Sequence, residues 1–211
     1  MPDLITERVI YDGIIALNQS GAKELLKSPA HYQAYLARTR EESKALRVGT
    51  AVHKLALEGL DAYNATHAIA PEVDKRTKEG KEVHAYWKST LQPTDIPCKA
   101  DEYDNALSYS DAIKTAMARH NIVPLATEVM LKADYIVPIK GSLDIIGADG
   151  YLYDIKTTME EATPKGFGRQ MIWSDDFKLQ AAWYLALCKY SLGVRPKGFR
   201  FIVVEKEPPF L

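Results

Sequence analysis

The stretch that decides the fold is Lys140-Gly141-Ser142-Leu143-Asp144-Ile145-Ile146-Gly147, continued after Ala148-Asp149-Gly150 by Tyr151-Leu152-Tyr153-Asp154-Ile155-Lys156-Thr157-Thr158. Its apolar residues around an Asp-Gly pair predict two short strands joined by a turn. Asp154 and Lys156 are two apart, so on a strand both side chains project from one face. The place of Asp144 depends on the turn. A two-residue Asp149-Gly150 turn sets it opposite Ile155, with its carboxylate on the wrong face. A three-residue Ala148-Asp149-Gly150 loop, with Gly150 left-handed and bulged, sets it across from Asp154. Both turns suit the residues, and only the second makes one site.

Two like charges on a half-buried sheet repel, and each is costly to desolvate. A hard divalent cation relieves both problems, and carboxylate oxygens are the ligands that Mg²⁺ prefers. A neighbouring lysine then steadies a phosphate or an activated water. Taken alone, Asp-x-Lys is a common tripeptide, and its ordinary meaning is a structural ion pair on a solvated face. The rest of the chain decides between these readings.

Working outward, Ala126 to Val137 alternates with period two, with Val129, Leu131, Ala133, Tyr135 and Val137 in one set. Strands are thus expected near 127–137, 140–147 and 151–157 as an antiparallel meander, the first closed by Pro138. Glu128 brings a third carboxylate near the same face. Downstream, Ala162 to Met171 holds Pro164, Lys165, Gly166, Gly168 and Arg169 and reads as a mobile basic loop. Ser174-Asp175-Asp176 caps a helix to Leu192, stopped by Gly193, on which Gln180 and Tyr184 share a face. Phe199 to Glu205 is a final strand.

Upstream, residues 1–17 read as an irregular lead-in with a short strand or turn. Asn18-Gln19-Ser20 opens one helix, and Ser28-Pro29 restarts another. Glu41 to Leu60 is expected as a longer helix with Leu46, Val48, Val52, Leu55, Ala56 and Leu57 on one side. His53 sits amid that apolar side, where a histidine is ordinarily a satisfied core residue. Asp61 to Ala70 reads as a strand or loop entry. Pro71 to Lys81 is a charged segment carrying Lys75, Arg76, Lys78 and Lys81, either a solvated loop or a phosphate-contacting one, with a helix beginning around Glu79. Residues 99–120 form an amphipathic helix.

The whole chain has 211 residues, 46% hydrophobic and 26% charged, with a net charge of −1. That fits a soluble globular protein without a global basic field. The two cysteines, Cys98 and Cys188, lack metal-ligand spacing and fit a reducing compartment. Met1-Pro2-Asp3-Leu4 does not open a signal sequence, and no apolar run reaches membrane-spanning length. A cytoplasmic protein without a membrane partner is expected.

In order, the chain offers Ser20 to Tyr32, Gly49 to Glu58 with its Gly49-Thr50-Ala51-Val52-His53, Ala70 to Lys81, the combined motif of Asp144 with Asp154-Ile155-Lys156-Thr157-Thr158, and Gln180-x-x-x-Tyr184. Five such stretches in this order resemble the PD-(D/E)XK nucleases, and among them the RecE-type and lambda-type phage exonucleases. The resemblance implies an α/β (α+β) fold with a restriction-endonuclease-like core, a mixed sheet with an antiparallel meander flanked by helices. It implies one exonuclease domain over 1–211, with a helical part near 18–120 and a catalytic core near 126–206. Leu143 stands where the family has Pro, and Asp154 where Glu is commoner.

By the same resemblance, Asp144, Asp154 and the Ile155 carbonyl hold Mg²⁺ or Mn²⁺, and His53 completes or supports a second metal position. Lys156 orients or helps deprotonate the attacking water, Glu128 assists the second metal, and Gln180 and Tyr184 position the water or the scissile strand. Ser142 is the candidate for a 5′-phosphate. Lys75, Arg76, Lys78, Lys81, Lys165 and Arg169 bind backbone phosphates. Family members digest linear duplex DNA from an end, 5′ to 3′. They leave 3′ single-stranded tails for a single-strand annealing partner and form homo-oligomeric rings, of which a trimer is favoured here. A phage or prophage protein acting in recombination inside a bacterial host is the expectation. A PD-(D/E)XK endonuclease, a RecB-like repair module and a non-catalytic DNA-binding scaffold are the alternatives.

Overall fold

A computed structural model describes residues 5–38 and 44–210 of the chain. The N-terminal part carries α1 (Arg8–Gly13), α2 (Gln19–Lys27), α3 (Pro29–Ala37) and α4 (Lys44–His53), a π-helical turn (Lys54–Glu58) and α5 (Leu60–Asn64). There follow β1 (His67–Ile69), α6 (Lys78–Thr90), β2 (Ile96–Cys98) and α7 (Ala100–Arg119). The C-terminal part is β3 (Pro124–Asp134), β4 (Pro138–Gly147), β5 (Tyr151–Thr158), α8 (Phe167–Trp173), α9 (Asp175–Leu192) and β6 (Gly198–Glu205).

Local chemistry sets several of these boundaries. The Asn18 side chain accepts the Gly21 amide at 2.7 Å, and the Ser28 hydroxyl accepts the His31 amide at 3.2 Å ahead of Pro29. Thr77 does the same for Gly80 at the start of α6, at 3.0 Å. Each such cap contributes about 1 kcal/mol by satisfying an otherwise unpaired donor. Gly193, at φ +71, ends α9 in the left-handed conformation.

β3, β4 and β5 form the expected antiparallel meander, and β6 adds parallel to β5, giving a mixed sheet ordered β3-β4-β5-β6. The β4–β5 turn is the three-residue one. Gly150 takes φ +87, and its amide donates to the Gly147 carbonyl at 3.0 Å. The bridged pairs Ile145–Tyr153 and Ile146–Leu152 follow from it, and one further step sets Asp144 beside Asp154.

Helices cover both faces. On one, Ile145, Tyr153, Ile155, Ile202 and Val204 pack with Val52 and Leu55, and with Ala106, Tyr109 and Ile113 of α7. On the other, Val129, Leu131, Leu143 and Leu152 pack with Leu187 and Cys188 of α9. Full burial of one such side chain is worth roughly 1.5–3 kcal/mol. Leu143 and Ile145 are two apart yet lie on opposite faces, and Val129 and Ala126, three apart, share one. The two-residue alternation of both strands therefore breaks between them, at Glu128 and Asp144.

Several elements differ from the sequence expectation. The lead-in contains α1, tethered by the buried Lys140, whose Nζ donates to the carbonyls of Tyr11 (2.9 Å) and Asp12 (3.3 Å). The expected continuous helix to Leu60 loosens into the π turn, closed by the Gly59 amide on the Lys54 carbonyl at 3.0 Å. Its expected start at Glu41 and the Leu46 side chain lie outside the described residues, as do residues 1–4. Asp61 to Ala70 holds α5 and β1, and β1 pairs parallel to β2. Pro138 opens β4 rather than closing β3. The segment read as a basic loop contains α8, because Phe167 buries its ring against Phe177, centroids 5.3 Å apart, and anchors a turn of helix. Ser174 precedes α9 without a side-chain cap bond. No helix among the described residues is long and apolar enough to cross a membrane.

Candidate active site

Asp144 and Asp154 enter the site from neighbouring strands and are both nearly buried, 9% and 4% exposed. The strands no longer pair there, and the Asp144 carboxylate substitutes: its Oδ2 accepts the Ile155 amide at 2.7 Å. A strand residue projects its N–H and C=O toward the same neighbour, so the Ile155 carbonyl also lies on the β4 side. Asp154 is held from the other direction. Its Oδ1 accepts Gln180 Nε2 of α9 at 2.8 Å, and its Oδ2 forms an ion pair with Lys156 Nζ. Lys156 in turn lies 5.8 Å from the centroid of the Phe201 ring.

The third and fourth groups come from the opposite side. His53 is the last residue of α4, where the helix passes into the π turn. Such turns recur at functional sites because they re-aim the side chains beside them. Glu128 sits in β3 at φ +50, a left-handed conformation that costs a non-glycine residue of order 1–3 kcal/mol. His53 Nδ1 is 3.5 Å from Glu128 Oε1 and 3.5 Å from Asp144 Oδ1. Ligand atoms of His53, Glu128 and Asp144 all lie within 4.8 Å of one another.

The residues gathered here fit a cation. Glu128 Oε1 is buried without a hydrogen bond, at odds with the usual satisfaction of buried polar atoms. Three carboxylates face two basic groups, and the buried acids respond. Burial, then the charge of Asp154, pushes Asp144 up to about 7. Burial also raises Asp154, opposed by Lys156. For His53 burial pulls downward, but the Glu128 contact and the charges of Asp144 and Asp154 outweigh it and hold the imidazole above its ordinary value. Carboxylate oxygens with one imidazole nitrogen suit a divalent ion that accepts mostly oxygen ligands.

Tyr184 packs on Gly141, where a Cβ would come within 2.8 Å of its ring, so a glycine there lets α9 approach β4. Burial, then the two aspartates, raises its hydroxyl and keeps it a neutral donor. Ser142 pairs with Met130, and its hydroxyl is buried with no hydrogen-bond partner. A cleft of about 730 Å³ opens beside the cluster, lined by His53 and Glu128 together with Arg8, Thr50, Lys54 and His67.

The basic residues singled out from sequence lie elsewhere. Lys75, Arg76, Lys78, Lys81, Lys165 and Arg169 are exposed, and none lines that cleft. Arg76 is engaged by Asp74 through two contacts of 3.0 Å, and Lys78 is 4.0 Å from Glu82. Sequence reading missed Phe201 under Lys156, for which the Phe199/Phe201 alternation of β6 was the available signal. It also missed Arg8 and Lys54, which carry no motif.

The family model described as a PDDEXK-like domain of unknown function (DUF3799) matches residues 18–210. No curated protein matches the chain in sequence. Among solved structures, a crystal structure described as a "putative exonuclease" from Eubacterium rectale superposes with a TM-score of 0.54. At 14% identity, it aligns over 92% of this chain and 69% of its own. At that identity the likeness is one of fold.

Proposed function

The chain belongs to this PDDEXK-like family, and on that premise we propose that it is a metal-dependent deoxyribonuclease that digests linear duplex DNA from its ends, 5′ to 3′. The observation that carries the proposal is the convergence of His53, Glu128 and Asp144 within 4.8 Å, directly beside the Asp154–Lys156 pair. In this reading Glu128, Asp144 and His53 hold Mg²⁺ or Mn²⁺, with Asp154 and the Ile155 carbonyl beside them. When bound, the ion supplies Lewis-acid neutralisation of charge at the scissile phosphate.

The chain's own groups do the rest. Gln180 fixes the Asp154 carboxylate through Oδ1, which leaves Oδ2 to orient Lys156. Lys156 presents an ammonium where a nucleophilic water and a phosphate oxygen would meet, and it would orient both by the hydrogen bonds it donates while its charge offsets the negative charge that develops there. Tyr184 closes the α9 side and limits water access. Ser142, on the strand facing Met130, offers its unpartnered hydroxyl to a terminal phosphate. The exposed Lys75, Lys78, Lys81, Lys165 and Arg169 hold flanking duplex phosphates without reading sequence. A homo-oligomeric ring that hands 3′ tails to a single-strand annealing protein, in phage-type recombination, completes the proposal.

Linear duplex labelled at the 5′ or the 3′ end, incubated with Mg²⁺ or with EDTA, tests the reading. The proposal expects metal-dependent release of 5′-label as mononucleotide and no cutting of closed circular duplex. Cleavage of the circle would replace it with an endonuclease, and inertness toward both would remove the nuclease.

A further inference from the structure

Past the β1–β2 ribbon lies a second cavity, of about 440 Å³, which shares no lining residue with the cleft beside His53. Thr66, His67 and Ile96 border the cleft, whereas Ala70, Pro97 and Cys98 border the second cavity. Its apolar floor includes Leu91, Pro97 and the buried Cys98. One wall is the half-buried aromatic pair His84 and Trp87 of α6, with centroids 5.4 Å apart.

Its charge is one-sided. The one carboxylate in the lining, Glu102, is already engaged: Oε1 accepts Arg47 Nη2 at 3.3 Å and Oε2 accepts the Lys99 amide at 3.3 Å. Lys75, Lys88 and Lys99 also line the cavity, and among the described residues none of the three side chains has a carboxylate partner. The pocket therefore combines a flat aromatic wall, an apolar floor and three ammonium groups. A bare anion needs no indole, and an apolar ligand needs no lysines. A volume of this size accommodates a small ligand.

We propose that this pocket binds one nucleoside monophosphate unit, its base against Trp87 and its phosphate among Lys75, Lys88 and Lys99. Stacking on an aromatic face tolerates every base, and lysine meets phosphate as a point charge. The unit comes either from released mononucleotide or from a strand still attached. The ligand class rests on the nuclease reading, whereas the shape and charge of the pocket do not.

The test is calorimetric titration of the 211-residue chain in EDTA, where hydrolysis is stopped, with dTMP in one arm and 5′-hydroxyl oligothymidylate in the other. Saturable binding is expected in at least one arm. Binding of dTMP identifies the released product, and binding of the oligonucleotide alone identifies a strand subsite. Trp87→Ala should weaken binding about tenfold, the scale of one lost stacking contact. Lys88→Glu combined with Lys99→Glu, at exposed positions where folding is not at stake, should weaken it at least as much at low salt. Asp144→Asn should leave it unchanged. The proposal is overturned by no binding in either arm, by binding indifferent to both the Trp87 and lysine variants, or by binding lost with Asp144→Asn. Metal-dependent hydrolysis without this binding overturns the pocket alone, and the binding without hydrolysis overturns the nuclease alone.

Discussion

On the hairpin side of the candidate site, Asp154 and Lys156 stand on an unbroken strand that pairs with β6 residue by residue from Tyr151 to Thr158. On the other side, Glu128 and His53 stand on interruptions, one at φ +50 and the other where an α-helix turns into a π turn. Asp144 is the hinge between these halves, at the point where the alternation of β3 and β4 breaks. The regular half uses the sheet's own hydrogen bonds to fix its groups. The irregular half departs from regular backbone to aim a carboxylate and an imidazole at the same volume, at a cost in stability. Such strain persists only where the surroundings over-determine it, and here both cores bracket the break. The halves should therefore respond differently to substitution: one in activity alone, the other in activity and stability with opposite signs.

The largest effect is expected in the regular half. Lys156→Ala should lower hydrolysis of linear duplex by about a hundredfold or more while leaving the melting temperature little changed. The side chain stands on a strand paired with β6 along its whole length and makes its contacts at the site, so a collapse of folding in that variant would show that the ion pair is structural.

A second contrast is in pH. Asp144, raised to about 7 by burial and by Asp154, binds its proton more tightly in the folded chain than in the unfolded one. His53, also raised, acts in the same direction. Between an ordinary carboxylate value near 4 and pH 7, the unfolded chain has lost protons that the folded chain keeps. Metal-free stability therefore falls as pH rises through this window on account of Asp144, and His53 continues the fall from its ordinary value near 6.5 up to its raised one, by at most about 1.4 kcal/mol per unit for each group. Thermal melts in EDTA from pH 5 to 8 check this. In the same series, added Mn²⁺ should raise the melting temperature more at pH 8 than at pH 5, since protons and cation compete for the same oxygens. A metal-free melting temperature that rises across the window contradicts the assignment.

The smallest effect isolates the strain. Glu128→Gly removes the left-handed penalty and one crowded carboxylate together. The metal-free protein should gain about 1 kcal/mol, or roughly 2–4 °C at this size, while hydrolysis falls. A loss of stability in that variant would place Glu128 among the structural residues.

The same division explains what could be read from sequence. Asn18, Ser28-Pro29, Thr77, Gly150 and Gly193 act through local chemistry, and the boundaries they mark lie within a residue or two of those expected. The hairpin was legible down to its turn options, because Asp-Gly chemistry leaves only two. The π turn was not legible, since Lys54 to Glu58 continues a helical pattern and its closure depends on packing. Nor was the left-handed Glu128, which no residue type announces. β1 and β2 are three residues each and stabilise one another across a long separation, so neither carries a periodic signal of its own. α8 was hidden by Pro164, Gly166 and Gly168, because the docking of Phe167 that secures it is tertiary. Of the site groups on regular elements, spacing placed Asp154 with Lys156 and Gln180 with Tyr184 on shared faces, and the family resemblance supplied their roles. That His53 and Glu128 meet Asp144 at 3.5 Å depends on the irregular backbone and needed the fold.

The central claim is that the two halves together make one cation site, and calorimetric titration of Mn²⁺ into the metal-stripped protein at pH 8 tests it most directly. Saturable binding is predicted, lost in Asp144→Asn and weakened in both Glu128→Gly and His53→Ala, with the fold retained by circular dichroism. Saturable binding that survives Asp144→Asn unchanged, or no binding by the intact chain, would contradict it.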